Sequence, residues 1–289
     1  MAAQAVTAEA QAALSGLLKD YTAEVTARDR KGLDAAPAMM APGSEVYIAA
    51  IPGESEDRLV AAAVHLRKNG LVPVPHIVAR NIESRASLDG LLRRLTAEAG
   101  LDRALVLGGD RDKPAGEFDS SLQLLETGLF QTHGVRQIRL ACYPEGHPRI
   151  ADEVLEKARA IKLETAAQAG LDVWMVSQFC FDAKPIIALA KRMRAQGVTA
   201  PFRVGVAGPA ERSTLVKYAL MCGVGASLRA LKERQDLARN VLTGETPEAL
   251  LTEVAQAQEC DPSLGIKGVH FFTFGALAKS AEWADRMMR

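Results

Sequence analysis

Short apolar runs rich in β-branched residues alternate with longer amphipathic stretches along almost the whole chain. A parallel sheet with covering helices reads this way, because strands buried on both faces lose the polar alternation of an exposed sheet. After an amphipathic helix over about 7–18, eight strands are predicted: Tyr21–Thr26, Glu45–Ile51, Val72–Val78, Arg103–Leu107, Gln137–Cys142, Val173–Val176, Phe202–Val206 and Gly268–Phe272. Helical periodicity occupies Glu56–Lys68, Leu88–Glu98, Ser120–His133, Ile150–Ala169, Pro185–Gln196 and Glu211–Met221. Ser84 and Asp182 stand where N-caps are wanted. Gly70, Gly100, Gly134, Gly170 and Gly197 follow helix ends, where a left-handed residue closes the last turn. The stretch Ala226–Glu259 reads as two further helices around the turn Thr243–Pro247, inserted before the last strand.

Eight strand-helix units predict an α/β protein, a (β/α)8 TIM barrel with extra helices at the N-terminus and before the last strand, formed as a single domain over residues 1–289. An open doubly wound sheet that binds a dinucleotide would carry GxGxxG after its first strand, and none is present. In a barrel the C-terminal ends of the strands converge on one face, where active sites sit. The residues at those ends are Glu24, His76, Gly108-Gly109-Asp110, the run Tyr143-Pro144-Glu145-Gly146-His147-Pro148, and Gln178.

Each of these residues has a plain reading and a chemical one. Glu24, between Ala23 and Val25, is either a charge on an exposed strand face or an inward carboxyl whose burial suits it to general acid catalysis. His76 is a satisfied buried histidine or a ligand contact. Gly108-Gly109-Asp110 is a tight turn, or a place where backbone approaches a flat or phosphorylated ligand. The run from Tyr143 to Pro148 sets an aromatic ring, a carboxylate and an imidazole between prolines directly after a strand. Gln178 offers a carboxamide for a pyrimidine-like edge, or a structural amide.

Charge and composition narrow the function classes. Lys and Arg number 35 against 35 Asp and Glu, so nothing favours a nucleic acid or an anionic membrane as partner. Apolar residues make up 48% of the chain, enough for a full core. Cys142, Cys180, Cys222 and Cys260 form no CxxC pair and have no His at metal-ligand spacing, so they read as reduced thiols and no metal site is expected. The Ala-rich start carries Glu9 and lacks a basic region followed by an apolar one, and no apolar run reaches the roughly 18 residues of a membrane span. A cytoplasmic protein is expected. Self-association through apolar patches on the extra helices is expected as well.

Taken in order, these strand ends resemble the methylenetetrahydrofolate reductase family of the short bacterial type. Glu24 matches the family's acid on the first strand, Pro75-His76 its PH station, and Gly108-Gly109-Asp110 its RGD-like turn with Gly108 in place of Arg. Ala141-Cys142-Tyr143-Pro144-Glu145-Gly146-His147-Pro148 is similar to AAYPEVHPE, Ser177-Gln178-Phe179-Cys180-Phe181-Asp182 to TQFFFD, and His270-Phe271-Phe272-Thr273 to HFYT. The resemblance implies a flavin-dependent barrel of one-carbon metabolism and methionine biosynthesis that interconverts 5,10-methylenetetrahydrofolate and 5-methyltetrahydrofolate with NADH or NADPH through FAD. It implies Glu24 and Asp110 as catalytic residues. His76, Gly108, Gly109, Asp110, Tyr143, Glu145 and His147 would seat the flavin, with Arg159 and Lys162 meeting its diphosphate in place of the family's usual basic residues. Gln178 and Phe272 would hold the folate. A barrel working chiefly in the oxidative direction, or a flavin-free folate-binding or regulatory relative, stays open beside this reading.

Overall fold

The computed structural model describes residues 8–51, 53–224 and 246–289. Its eight strands are β1 (Thr22–Thr26), β2 (Glu45–Ala49), β3 (Val72–Val78), β4 (Arg103–Leu107), β5 (Gln137–Cys142), β6 (Asp172–Ser177), β7 (Phe202–Ala207) and β8 (Ile266–Phe272). They close into a barrel in chain order. The helices among the described residues are α1 (Ala8–Leu18), α2 (Arg30–Met39), α3 (Glu56–Lys68), α4 (Arg85–Ala99), α5 (Ser121–Glu126), α6 (Leu129–Thr132), α7 (Asp152–Gln168), α8 (Ala183–Ala195), α9 (Arg212–Met221), α10 (Glu248–Cys260) and α11 (Leu277–Met288). The predicted barrel is therefore the observed fold.

Local chemistry sets the boundaries. The Ser84 side chain accepts from the Ser87 amide and that of Asp182 from the Lys184 amide, so both predicted N-caps form. Gly70, Gly100, Gly134, Gly170 and Gly197 all take positive φ. α4 buries Leu88, Leu91, Leu92, Leu95 and Ala99, a single stripe at helical spacing. The helix expected over Ser120–His133 is instead two, because Gly128 turns left-handed with φ +73° between α5 and α6. Of the two inserted helices, the second is α10, while the first lies outside the described residues.

α2 and α11 escaped the pattern reading. α2 contains Pro37, which has no N–H to bond the carbonyl of Leu33 one turn earlier. The ring Nε2 of His65 on α3 stands 3.2 Å from that oxygen and takes the missing place.

Among the described residues, packing divides into two units. One is drawn from Met1–Thr22, Tyr143–Pro148 and Ser177–Arg289, the other from Ala23–Cys142 and Arg149–Val176. In the second, Tyr47, Val74, Leu105 and Val176 form one buried cluster with Leu107 against it. These side chains come from β2, β3, β4 and β6, which can meet only inside the closed barrel. Two residues toward the strand N-termini lies a charged layer. Glu45 accepts from Arg103 and from Arg139 at 2.7 Å each, Gln137 accepts from Arg139 at 3.1 Å, and the Arg139 guanidinium lies 5.5 Å from the Trp174 ring.

In the first unit, Tyr21, Phe271 and Trp283 pack edge to face between the barrel wall and α11. The Thr22 hydroxyl meets Nδ1 of the buried His270 at 2.8 Å. Among the described residues, no helix is long and apolar enough to cross a membrane.

Candidate active site

Strand register brings the first group together. Glu24 pairs with Tyr47, and Tyr47 with Val74, so the three share one level on the interior face. His76 lies two residues further along β3, on the same face and nearer the strand's C-terminal end. Its Nε2 is 3.3 Å from Oε2 of Glu24, and the two side chains are only 9% and 18% exposed. The His76 ring also stands edge-on to Tyr47, 6.4 Å between centroids. The inward orientation weighed for Glu24 is the one observed, with an imidazole as neighbour. Tyr47 is a wall residue that the sequence reading missed, since a tyrosine in an apolar strand looks like any core aromatic.

Asp110 differs from this pair. Its side chain is 95% exposed and faces Arg149, whose guanidinium lies 3.4 Å from Oδ1 and donates to the Asp110 carbonyl at 3.2 Å. Arg149 also pairs with Asp112 at 3.1 Å. Gly109, with φ +102°, is required by crowding within the protein: a Cβ there would stand 2.5 Å from Cγ1 of Val78. A Cβ on Gly108 would meet nothing within 4 Å.

On α7, Lys162 is partly buried, and burial pulls its pKa below the ordinary lysine value. Among the described residues no carboxylate pairs with it. The charge of Arg159 reaches the buried Cys142 thiol at the end of β5 and partly opposes the rise that burial imposes, which leaves the thiol at about 12. Burial also raises the Cys180 thiol, with the nearby Glu145 carboxylate adding to the rise. Both thiols stay protonated at neutral pH and are poor nucleophiles.

The remaining predicted residues lie in the other unit. Tyr143 and His147 stack edge to face at 5.0 Å across the Pro144–Gly146 turn. The Gln178 Oε1 accepts from the Phe179 amide at 3.0 Å, so one lone pair of the carboxamide is used locally while its NH2 remains to donate. Phe272 joins an aromatic wall. It packs on Phe179 at 5.2 Å and lies nearly parallel to Phe274, which in turn stacks on Tyr218 at 4.4 Å. Phe274 holds φ +50°, a conformation a phenylalanine rarely adopts. Tyr218 and Phe274 were not among the predicted residues, because the stack joins α9 to the loop after β8.

Compared with known families, residues 39–282 match the model of methylenetetrahydrofolate reductase. The chain belongs to the methylenetetrahydrofolate reductase family. The matched span includes His76, Asp110, Tyr143, Gln178 and Phe272, whereas Glu24 precedes it.

Two solved structures are similar to this reductase-family chain. An uncharacterized protein from Clostridium thermocellum, described as binding two copies of 5-methyl-5,6,7,8-tetrahydrofolic acid, is 12% identical with a TM-score of 0.55 over 94% of this chain and 98% of that one. Dihydropteroate synthase from Thermus thermophilus is 15% identical with a TM-score of 0.48, covering 94% of this chain and 95% of that one.

Proposed function

We propose that the protein interconverts 5,10-methylenetetrahydrofolate and 5-methyltetrahydrofolate, with NAD(P)H as the other substrate and FAD as cofactor. The observation that carries this reading is the Glu24–His76 pair, set inside a barrel of the methylenetetrahydrofolate reductase family. Reduction requires the imidazolidine ring of the substrate to open, and opening needs a proton on a folate nitrogen. Glu24 delivers that proton from its carboxyl oxygen. Glu24 is reprotonated from solvent after turnover, and the His76 ring, 3.3 Å away, bounds its carboxyl on the interior face. The Gln178 NH2 donates to the pterin edge, and Phe272 packs against a ring of the substrate.

The cationic groups suit an anionic cofactor. Lys162 is a partly buried ammonium without a carboxylate partner among the described residues, the environment a phosphate would complete. Lys162 and Arg159 would hold the FAD diphosphate, and His76, Tyr143, Glu145, His147 and the Gly108–Asp110 turn would seat the remainder. FAD held there would supply the hydride chemistry, with NAD(P)H as the source of the electrons.

Glu24→Gln keeps volume and hydrogen bonding but removes the transferable proton. NAD(P)H oxidation with methylenetetrahydrofolate should fall by about 10² to 10⁴-fold, while oxidation with a quinone acceptor survives. Equal loss of both activities would assign Glu24 to flavin binding or folding. Wild-type protein lacking folate turnover and visible flavin absorption would overturn the function itself.

A further inference from the structure

The connection from Gly108 to Ser120 joins β4 to α5 and carries Asp110. It has thirteen mostly exposed residues, and connections of that kind usually open and close easily. Two side chains from outside the connection tie it down, Arg149 at Asp110 and Asp112 and Arg80 at Arg111, Asp112 and Asp119. Arg80 follows β3 in a single 3-10 turn, Ala79–Asn81. Its guanidinium donates from Nε to the Asp119 carbonyl at 3.1 Å, and from Nη1 to the carbonyls of Arg111 at 2.6 Å and Asp112 at 3.2 Å. Nη2 lies 2.6 Å from Oδ1 of Asp119. The Arg80 main chain adds two bonds, donating to Gly108 and accepting from Ala115 at 3.0 Å each.

The rest of the connection seats on the same segment. The Glu117 amide donates to the Glu83 carbonyl at 3.1 Å, and the Arg85 amide donates to the Glu117 carboxylate at 3.0 Å. At Gly116 a Cβ would come within 1.7 Å of the Glu83 carbonyl oxygen, so only glycine allows this approach.

We propose that Arg80 is a positioning residue. It holds the β4–α5 connection in one conformation before ligand arrives, so that Asp110 meets the folate without an ordering cost at binding. The proposal rests on the folate reading above. A planar fork is needed because three carbonyls and a carboxylate converge on one group, and a lysine ammonium cannot serve them together.

The test pairs hydrogen exchange of peptides spanning 108–120 with calorimetric binding of 5-methyltetrahydrofolate, in wild type, Arg80→Lys and Asp119→Asn. Arg80→Lys should speed exchange in the connection about tenfold or more, as expected when several charge-assisted bonds are lost, with β3 and β4 unchanged. Folate affinity should weaken by a similar factor at an unchanged global unfolding midpoint. Asp119→Asn, which loses one ion pair only, should shift both readouts less and in the same direction. Unchanged exchange in Arg80→Lys overturns the proposal, and so does a loosened connection with wild-type folate affinity. Wild-type protein that does not bind 5-methyltetrahydrofolate overturns the folate reading, and the role of Arg80 in it.

Discussion

At the scale of single residues, burial without a partner decides behaviour. Tyr21 is 7% exposed and its hydroxyl has no hydrogen-bond partner among the described residues, a state that costs about 1–3 kcal/mol. Burial, with a smaller contribution from the Asp285 carboxylate, pushes its pKa from 10.0 up to about 12. The folded state therefore keeps the proton while the unfolded chain releases it above pH 10, so this residue's contribution to stability is intact below pH 10 and is lost as pH rises toward 12. The loss is on the order of 2–3 kcal/mol. Tyr21→Phe should melt at or above the wild-type temperature at neutral pH and gain further on it in alkaline buffer. Parallel thermal scans check this, and a gap that narrows with rising pH would contradict it. Glu24 shows a different arrangement, a half-buried carboxyl with an imidazole 3.3 Å away.

At the scale of elements, close approach of backbones selects glycine at particular turn positions. The two glycines before Asp110 look equivalent in sequence and are not. Gly109 combines φ +102° with contact against Val78, whereas Gly108 faces open space. Gly109→Ala should lose about 1–3 kcal/mol or more through strain and overlap. Gly108→Ala should stay within about 0.5 kcal/mol of wild type. Urea unfolding of the two variants measures the difference, and equal stabilities would mean that the turn relaxes freely. α2 illustrates the same scale from another side, since its internal Pro37 is tolerated because His65 of α3 reaches the carbonyl left without its helical donor.

At the scale of the molecule, barrel closure creates an interior that must be filled, and this one is filled partly with charge. Glu45 lies between Arg103 and Arg139, the latter only 1% exposed. Removing one member of such a group leaves buried charge uncompensated, which costs about 3–5 kcal/mol. Glu45→Gln should show that loss in urea unfolding. Asp102→Asn, at the more exposed pair with Arg103, should cost no more than about 1 kcal/mol. A Glu45→Gln loss as small as that of Asp102→Asn would mean that the layer contributes packing alone.

Periodicity by itself determined the eight strands, most of the helices and the closed barrel, because strand and helix preferences are local and eight units in succession leave few topologies. Gly70 and Gly100 could be placed from sequence for the same reason, as a left-handed residue after a helix is a local demand. Motif spacing also placed Glu24 on the first strand and His76 on the third, although Glu24 is the middle residue of β1 rather than its end. Their contact is a product of register, since β1 and β3 meet only through the pairing of each with β2. Arg80 gave no signal, because its bonds run to carbonyls 28–39 residues away and carbonyls carry no side-chain identity. The exposure of Asp110, its hold on Arg149 and the Tyr218–Phe274 stack depend likewise on how loops fold back after the strands end. Local preferences thus set the elements, and tertiary structure decided the site, because residues distant in sequence become neighbours only when strand register and loop paths are fixed together.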